Sequence, residues 1–433
     1  MSDAYLTEQH RQLRSAVRDF AESEIAPRVT EMDRTGIVET DLAVAIAKQG
    51  WIGVTIDESH GGLGAGHLAK TIIVEELSRV CAAMGAMAQA SQLGTAKIIH
   101  WGNEQQKRKW LPRIADGSCL PTIAVTEPGN GSHVLGMRMT ARREGRNYVL
   151  NGQKVFVGNS HIGDLHGVVA RTGDGSRGLT AFLVEADRPG LILPVHGGTL
   201  GLHGFSFGEL HFVDCRIPAA NRLGREGDGR DIADSSSVLY GRPNLTAVAL
   251  GIHQAILEQT TRFTSERIRY ERPLHELQHI KLKVGQIQSR VMTCRLAAYH
   301  AAHLLDVETP CDAELMNAKL IGVEYALDSA RAAMEIHAAA GLMKNLPMER
   351  YLRDAQHIYA PAGTSDIQLL RLAQVALGQS KGQWSQRLST VLSCAPRPSS
   401  PGCAPQTPAE KTMPPPSAAD EEQKLAFPLG SPE

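Results

Sequence analysis

The sequence predicts an α+β fold in which a helical domain, a β-barrel-like domain and a four-helix bundle follow one another along the chain. Three observations support this order: apolar residues recur at helical spacing before residue 120, short β-type runs separated by Gly, Asn and Asp follow, and helical spacing then returns. Strands and helices do not alternate, so the pattern differs from a doubly wound nucleotide fold. The predicted boundaries are 1–119, 120–230 and 231–383, with a disordered Pro-rich tail at 384–433.

Helices dominate the first predicted domain. Leu13, Val17, Phe20 and Ile25 recur near helical spacing in the opening segment. The Gly-rich stretch GGLGAG at 61–66 interrupts the helices and nearly matches a dinucleotide-binding fingerprint, but no strand–loop–helix unit surrounds it. We therefore interpret this stretch as a structural turn.

The next two segments have the composition of a β domain and of a helical bundle. Runs such as YVLNGQKVFVG and LTAFLVE predict short strands between Leu120 and Leu223. Long stripes of apolar residues and Ala then extend from about Ile232 to about Gly378. The segment 384–433 is rich in Pro, Ser and Ala and poor in bulky apolar residues, which predicts disorder because it cannot bury enough surface.

The charge balance excludes several classes of protein. The 45 Lys and Arg residues nearly cancel the 46 Asp and Glu residues, so there is no broad basic field for nucleic acid. The chain has no apolar leader and no stretch of 18 continuous apolar residues. Its seven cysteines include no CxxC pair, so no metal site is predicted. We expect no nucleic-acid partner, no membrane span and a cytoplasmic location.

Four motifs carry a resemblance to a known family. In chain order they are AVTEPGNGSH (124–133), YVLNGQKVFVGNS (148–160), LGLHGFSFGELHFVDCRIPAANRLGREGDG (200–229) and ERYLRDAQHIYAPAGTSDIQLLR (349–371). Their order and spacing resemble those of the acyl-CoA dehydrogenases, and the resemblance covers roughly residues 7–380. It implies a flavoprotein that binds FAD and an acyl thioester, carried either by CoA or by an acyl carrier protein.

The first two motifs supply predicted contacts to the flavin. Hydroxyls and free backbone N–H groups at a Gly-rich strand end suit the polar edge of an isoalloxazine ring. The resemblance places Thr126 and Ser132 at the flavin and the thioester, and Arg242 on the thioester side. Phe156 and Gly158 stand where the family has Trp and Thr over the flavin, so this chain keeps an aromatic face but loses a hydroxyl near flavin N5.

Further cofactor contacts are predicted in the C-terminal part. Arg267 matches the arginine that reaches the FAD pyrophosphate of a neighbouring subunit, and a guanidinium fork suits a diphosphate. The resemblance therefore implies a homo-oligomer, either a dimer or a tetramer. The other residues that it assigns to the cofactor in this part are Leu277, Gln278, Gly363, Thr364 and Asp366.

The carboxylate that serves the family as catalytic base is missing. Ala362 occupies its position in most members and Gly241 its position in a minority, and neither residue can accept a proton. The catalytic residue is therefore unknown. Four nearby groups could replace the base, and the sequence favours none of them: Tyr240, His357, Tyr359 and Asp366.

The missing base leaves three functions open. The first is an FAD-dependent oxidoreductase acting on an acyl thioester at a CH–CH or CH–OH group, with an electron-transfer flavoprotein or O₂ as acceptor. Divergent members of this kind occur in secondary metabolism. The second is a flavin-dependent monooxygenase, in which no α-proton has to be removed. The third is a non-redox elimination, or flavin and thioester binding without turnover.

Overall fold

The first part of the chain is helical, as the apolar spacing predicts. The computed structural model describes residues 2–175, 177–194, 197–380 and 383–386. Within these ranges six α-helices precede the first strand: α1 (Glu8–Phe20), α2 (Val29–Thr35), α3 (Thr40–Lys48), α4 (Gly66–Val80), α5 (Ala82–Trp101) and α6 (Glu104–Ala115).

Local sequence explains where these helices begin. Thr7 precedes α1, and its hydroxyl accepts the backbone N–H of His10 in a capping box. The start of α4 is capped instead by a residue far away in the chain. The carboxylate of Asp306 accepts the backbone N–H groups of His67 and Leu68 at 2.5 and 2.9 Å. Both α4 and α5 are buried on nearly every face, as is typical of helices at the centre of a protein. Helix α5 packs against the central sheet, and α4 packs on α5 and on the C-terminal helices.

The central strands form one mixed sheet. They are β1 (Pro121–Ala124), β2 (Thr140–Glu144), β3 (Asn147–Gly158), β4 (Leu165–Arg171), β5 (Leu179–Glu185), β6 (Leu191–Ile192), β7 (Phe207–Pro218) and β8 (Arg222–Leu223). The sheet order is β6-β7-β3-β2-β4-β5-β8, and β1 pairs in parallel with β4. The β-barrel-like shape expected from the sequence is therefore corrected, because the sheet does not close within the described residues.

Long helices form the C-terminal part. They and the short elements between them are α7 (Gly229–Ser236), a π-helical segment (Ser237–Gly241), α8 (Arg242–Glu266), β9 (Ile268–Arg269), β10 (Arg272–Pro273), α9 (Gln278–Asp306), α10 (Asp312–His337), α11 (Met348–His357) and α12 (Ser365–Ala376). Helices α8, α9 and α10 pack on one another, and α12 packs on α10. The predicted order of helical, β and helical parts is confirmed.

The exact domain boundaries stay predictions, and most of the predicted disordered tail lies outside the described residues. At its start, Ser385 is buried and its backbone N–H donates to Asp312 at 2.9 Å. None of the helices in the described ranges combines the length and apolar composition that a membrane span requires.

One buried lysine links helix α5 to the central sheet. Lys97 on α5 is completely buried, and its ammonium group donates to the carbonyl of Thr122 on β1. Gly167 on β4 provides the room for this side chain, since a Cβ atom there would overlap the lysine methylenes. Burial lowers the pKa of Lys97 to about 7. The contact joins α5, β1 and β4 behind the strand end that carries the first motif.

Candidate active site

A buried ion pair holds the strand end that carries Thr126. The Lys154 ammonium lies 2.8 Å from Glu127 Oε1, and the two side chains are 0 % and 6 % exposed. Glu127 also accepts the backbone N–H groups of Arg138 and Met139 at 2.6 and 3.0 Å. Burial favours the neutral acid, but these N–H groups and Lys154 hold the pKa of Glu127 below its usual value. These contacts therefore fix Glu127, the middle residue of the Thr-Glu-Pro turn.

The neighbouring strand β3 ends in an aromatic row. Phe156 has a left-handed backbone (φ 57°), and its ring is 67 % exposed. It stacks on Phe207 at 5.9 Å, and Phe207 stacks on Phe205 at 5.8 Å. The ring of His357 meets Phe207 edge-on at 5.2 Å. An apolar ring exposed by a strained backbone is a candidate contact for a flat ligand.

Gly158 is fitted tightly between two elements. A Cβ atom at this position would lie 2.9 Å from Phe205 Cζ and 3.0 Å from the Cβ atom of Ala90 on α5. The space that a threonine would need is therefore filled by an aromatic ring and a methyl group.

The two positions at which a catalytic carboxylate was sought face each other. A Cβ atom at Gly241 would lie 3.2 Å from the Cβ atom of Ala362, which itself has a left-handed backbone (φ 54°). Arg242 follows Gly241 at the start of α8, and its Nε donates to Gln368 Oε1 at 3.0 Å. Gln368 Nε2 in turn donates to the carbonyl of Ala362 at 3.0 Å. One carboxamide therefore connects Arg242 to the loop before α12.

A second buried lysine shapes the same loop. Lys319 on α10 is completely buried and donates to the carbonyls of Tyr359 and Gly363, each at 2.7 Å. Burial, and then repulsion by Arg242, lower the pKa of Lys319 to about 8. Thr364 is the N-cap residue of α12, and its side chain makes no capping hydrogen bond. The first turn of this helix therefore keeps N–H groups that suit an anionic group.

None of the four candidate replacements stands out as a base. Tyr240 donates its hydroxyl to Thr55 Oγ1 at 3.2 Å, and burial raises its pKa to about 12. Burial lowers the pKa of His357, which packs against Phe207. Tyr359 lies beside Lys319, and Asp366 is exposed on the first turn of α12. The catalytic residue therefore stays unidentified.

The remaining predicted cofactor residues lie on exposed segments. Arg267 ends α8 and Gln278 begins α9, and the β9–β10 hairpin lies between them. The tip of this hairpin carries Tyr270, which is 84 % exposed and has φ 51°. Ser132 is exposed in the turn that follows Thr126. The structure thus places Thr126 and Phe156 on neighbouring segments, since Val155 N–H donates to the Thr126 carbonyl at 2.9 Å.

These residues fit a flavin cofactor by their chemistry. An exposed aromatic face at Phe156 can cover a ring system, and the hydroxyls of Thr126 and Ser132 can bond its polar edge. The open N-terminus of α12 suits phosphate. In the described ranges no group of three or more His, Cys, Asp or Glu side chains could hold a metal ion.

Comparison with known proteins identifies the family. Three family models match in order: acyl-CoA dehydrogenase N-terminal domain at residues 7–118, middle domain at 122–215 and C-terminal domain at 227–377. An acyl-CoA dehydrogenase of Bacillus subtilis is 36% identical over 377 residues, which are 86% of this chain and 99% of the relative. The protein therefore belongs to the acyl-CoA dehydrogenase family, and it is a flavin oxidoreductase of that type.

Solved structures agree with this assignment. Butyryl-CoA dehydrogenase from Megasphaera elsdenii superimposes with a TM-score of 0.84 at 30% identity, over 86% of this chain and 99% of that one. The prolyl acyl carrier protein oxidase AnaB superimposes with a TM-score of 0.82 at 29% identity, over 86% and 99%. FAD, the cofactor predicted from the motifs, is confirmed as the cofactor of this family.

Several structural residues of the site escaped sequence reasoning. They are the Glu127–Lys154 pair, Phe205, Lys319 and Gln368. Each lies inside or beside a recognised motif or an apolar helix, but its role depends on a contact with a residue far away in the chain. No local pattern signals such a contact.

Proposed function

We propose that the protein oxidises an acyl group held as a thioester on CoA or on an acyl carrier protein. One observation carries the proposal: Phe156 presents an exposed ring beside the Thr126 strand end, which a buried ion pair fixes. Bound FAD would supply a two-electron acceptor at this place. Thr126 and Ser132 would bond the cofactor and the thioester, and Arg242 would bind on the thioester side.

One solved relative supports an acyl carrier protein as the molecule that holds the substrate. AnaB, which has the same fold at 29% identity, is a prolyl acyl carrier protein oxidase. An oxidation of this type, on an acyl group bound to a carrier protein in secondary metabolism, is consistent with the loss of the usual carboxylate at both Ala362 and Gly241. The acceptor, the oligomeric state and the cytoplasmic location stay predictions.

A flavin-dependent monooxygenase is the second candidate. The observation that favours it is that Gly241 and Ala362, which lie close together, provide no carboxylate at either expected position. A reaction of reduced flavin with O₂ needs no base for an α-proton. Ser132 and Arg242 weigh against it, because they match the residues on the thioester side of the family.

Anaerobic reduction of the bound flavin separates the two candidates. The FAD-loaded protein is mixed with a panel of acyl-CoA and acyl carrier protein thioesters without NAD(P)H, and flavin absorbance is followed. We expect bleaching by at least one acyl thioester. Bleaching only by an external reductant, followed by O₂ uptake, would establish the monooxygenase instead.

The cofactor assignment has its own test. Arg267→Ala should weaken FAD retention, because a guanidinium fork that pairs with a diphosphate is lost. Arg269→Ala is the matched control, since it removes an exposed arginine two residues further on, in the β9–β10 hairpin. The fraction of FAD retained after gel filtration measures both effects. Equal retention by the two variants would show that Arg267 does not bind the cofactor.

A further inference from the structure

Arg242 is a buried cation without a counter-ion in direct contact. The residue is only 7 % exposed, and its Nη1 is buried with no hydrogen-bond partner in the described part of the chain. Its one side-chain hydrogen bond in that part goes to the neutral carboxamide of Gln368. Among the described residues, no carboxylate oxygen lies within 4.0 Å of the guanidinium. A buried guanidinium in this state is costly unless a ligand completes it.

The nearest carboxylates are engaged elsewhere. Asp234 attracts Arg242 at longer range but pairs with Arg230 at 3.5 Å. Asp312 accepts the backbone N–H groups of Trp384 and Ser385 at 2.8 and 2.9 Å, and the Ser385 hydroxyl at 2.6 Å. These bonds hold both carboxylates away from the guanidinium.

Other cations increase the positive charge around Arg242. Lys319 is completely buried nearby and Arg371 is also close, and both repel the guanidinium. Burial lowers the pKa of Arg242 to about 10, so the group stays charged near neutral pH. Asp312 and Asp234 attract the guanidinium more strongly than Arg371 repels it, but they do so from beyond contact distance.

Building on the proposed function, we infer that the site selects acyl thioesters that carry a carboxylate close to the thioester group. Such a substrate brings the negative charge that Ala362 and Gly241 do not supply. Its carboxylate would form charge-assisted hydrogen bonds with the guanidinium once the side chains that cover the buried Nη1 move aside. The substrate class is thus a 2- or 3-carboxyacyl thioester rather than a plain fatty acyl thioester.

Ligand binding tests this inference without turnover. The FAD-loaded protein is titrated calorimetrically with two unreactive thioethers, a 2-carboxyalkyl compound and its methyl ester, each attached to CoA and to an acyl carrier protein. A charge-assisted hydrogen bond predicts about 10- to 100-fold tighter binding of the carboxylate. Equal affinity, or tighter binding of the ester, would overturn the inference while leaving acyl thioester binding intact. If neither analogue binds on either carrier to protein that retains FAD, the proposed function fails as well.

Two variants at the same backbone position test whether Arg242 is the group that binds the ligand carboxylate. Ala362→Glu places a carboxylate near Arg242, because the Gln368 side chain bonds both positions. This carboxylate should pair with the guanidinium and abolish the preference for the carboxylate ligand. Ala362→Gln has nearly the same shape and the same left-handed backbone but no charge, and it should keep the preference. A preference that survives Ala362→Glu undiminished would show that Arg242 is not the carboxylate-binding group.

Discussion

The packing around Gly158 allows a quantitative test of how this site differs from the family pattern. Gly158→Thr restores the hydroxyl residue that the family has there. Its Cβ atom would lie 2.9 Å from Phe205 Cζ and 3.0 Å from Ala90 Cβ, closer than such atoms normally approach. Phe205 is 7 % exposed and stacked on Phe207, so its ring has little room to move. Overpacking of this kind lowers the free energy of unfolding by about 1–3 kcal/mol.

A double-mutant cycle isolates the clash. Phe205→Leu shortens the side chain that the introduced threonine would meet, so the cost of Gly158→Thr in that background should fall by about 1–2 kcal/mol. The free energy of unfolding is measured by urea denaturation at a fixed excess of FAD, because bound cofactor adds to apparent stability. Gly158→Ala is the control for the Cβ atom alone. Strict additivity of Gly158→Thr and Phe205→Leu would refute the packing argument.

Three further predictions concern buried charges. Lys154→Met leaves the buried Glu127 carboxylate without its counter-ion and should lower the free energy of unfolding by about 3–5 kcal/mol. Adding Glu127→Gln should recover part of this loss in urea denaturation. Burial lowers the pKa of Lys70 to about 7, so between pH 10.5 and 7 the unfolded chain binds a proton that the folded chain does not. Stability should therefore decrease as pH falls through this range, by up to about 1.4 kcal/mol per pH unit, and Lys70→Met should remove that part of the slope. Parallel pH curves for wild type and variant would contradict this. Lys319→Met should release the loop before α12, seen as faster amide hydrogen exchange at residues 359, 360, 362 and 363. Unchanged exchange there would argue against this role of Lys319.

The fold could be predicted because its evidence is local and ordered. Apolar spacing marks the helices, and the turn-rich runs mark the strands, so their order along the chain gives the class directly. Whether the sheet closes into a barrel could not be predicted in this way. It depends on how strands far apart in sequence pair at the edges, where β6 and β8 have only two residues each.

The site was predictable as a set of positions and less so as a set of contacts. Thr126 and Phe156 come from recognisable motifs, and the pairing of their segments follows from the fold. The partnership of Lys154 with Glu127 spans 27 residues, and a lysine within a strand is normally expected to face solvent. The bond between Arg242 and Gln368 spans 126 residues and depends on how α8 meets α12. Long-range side-chain contacts of this kind are set by tertiary packing, which no local pattern records.

The contact between Lys97 and Gly167 also constrains how the sequence can change. Any side chain at position 167 would overlap the lysine methylenes, so a larger residue is tolerated there only after position 97 carries a shorter one. If position 167 is enlarged first, the new side chain overlaps Lys97, and α5 and the sheet cannot both keep their positions. Two positions 70 residues apart, on a helix and a strand, are therefore free to diverge along one route only, with the lysine replaced first.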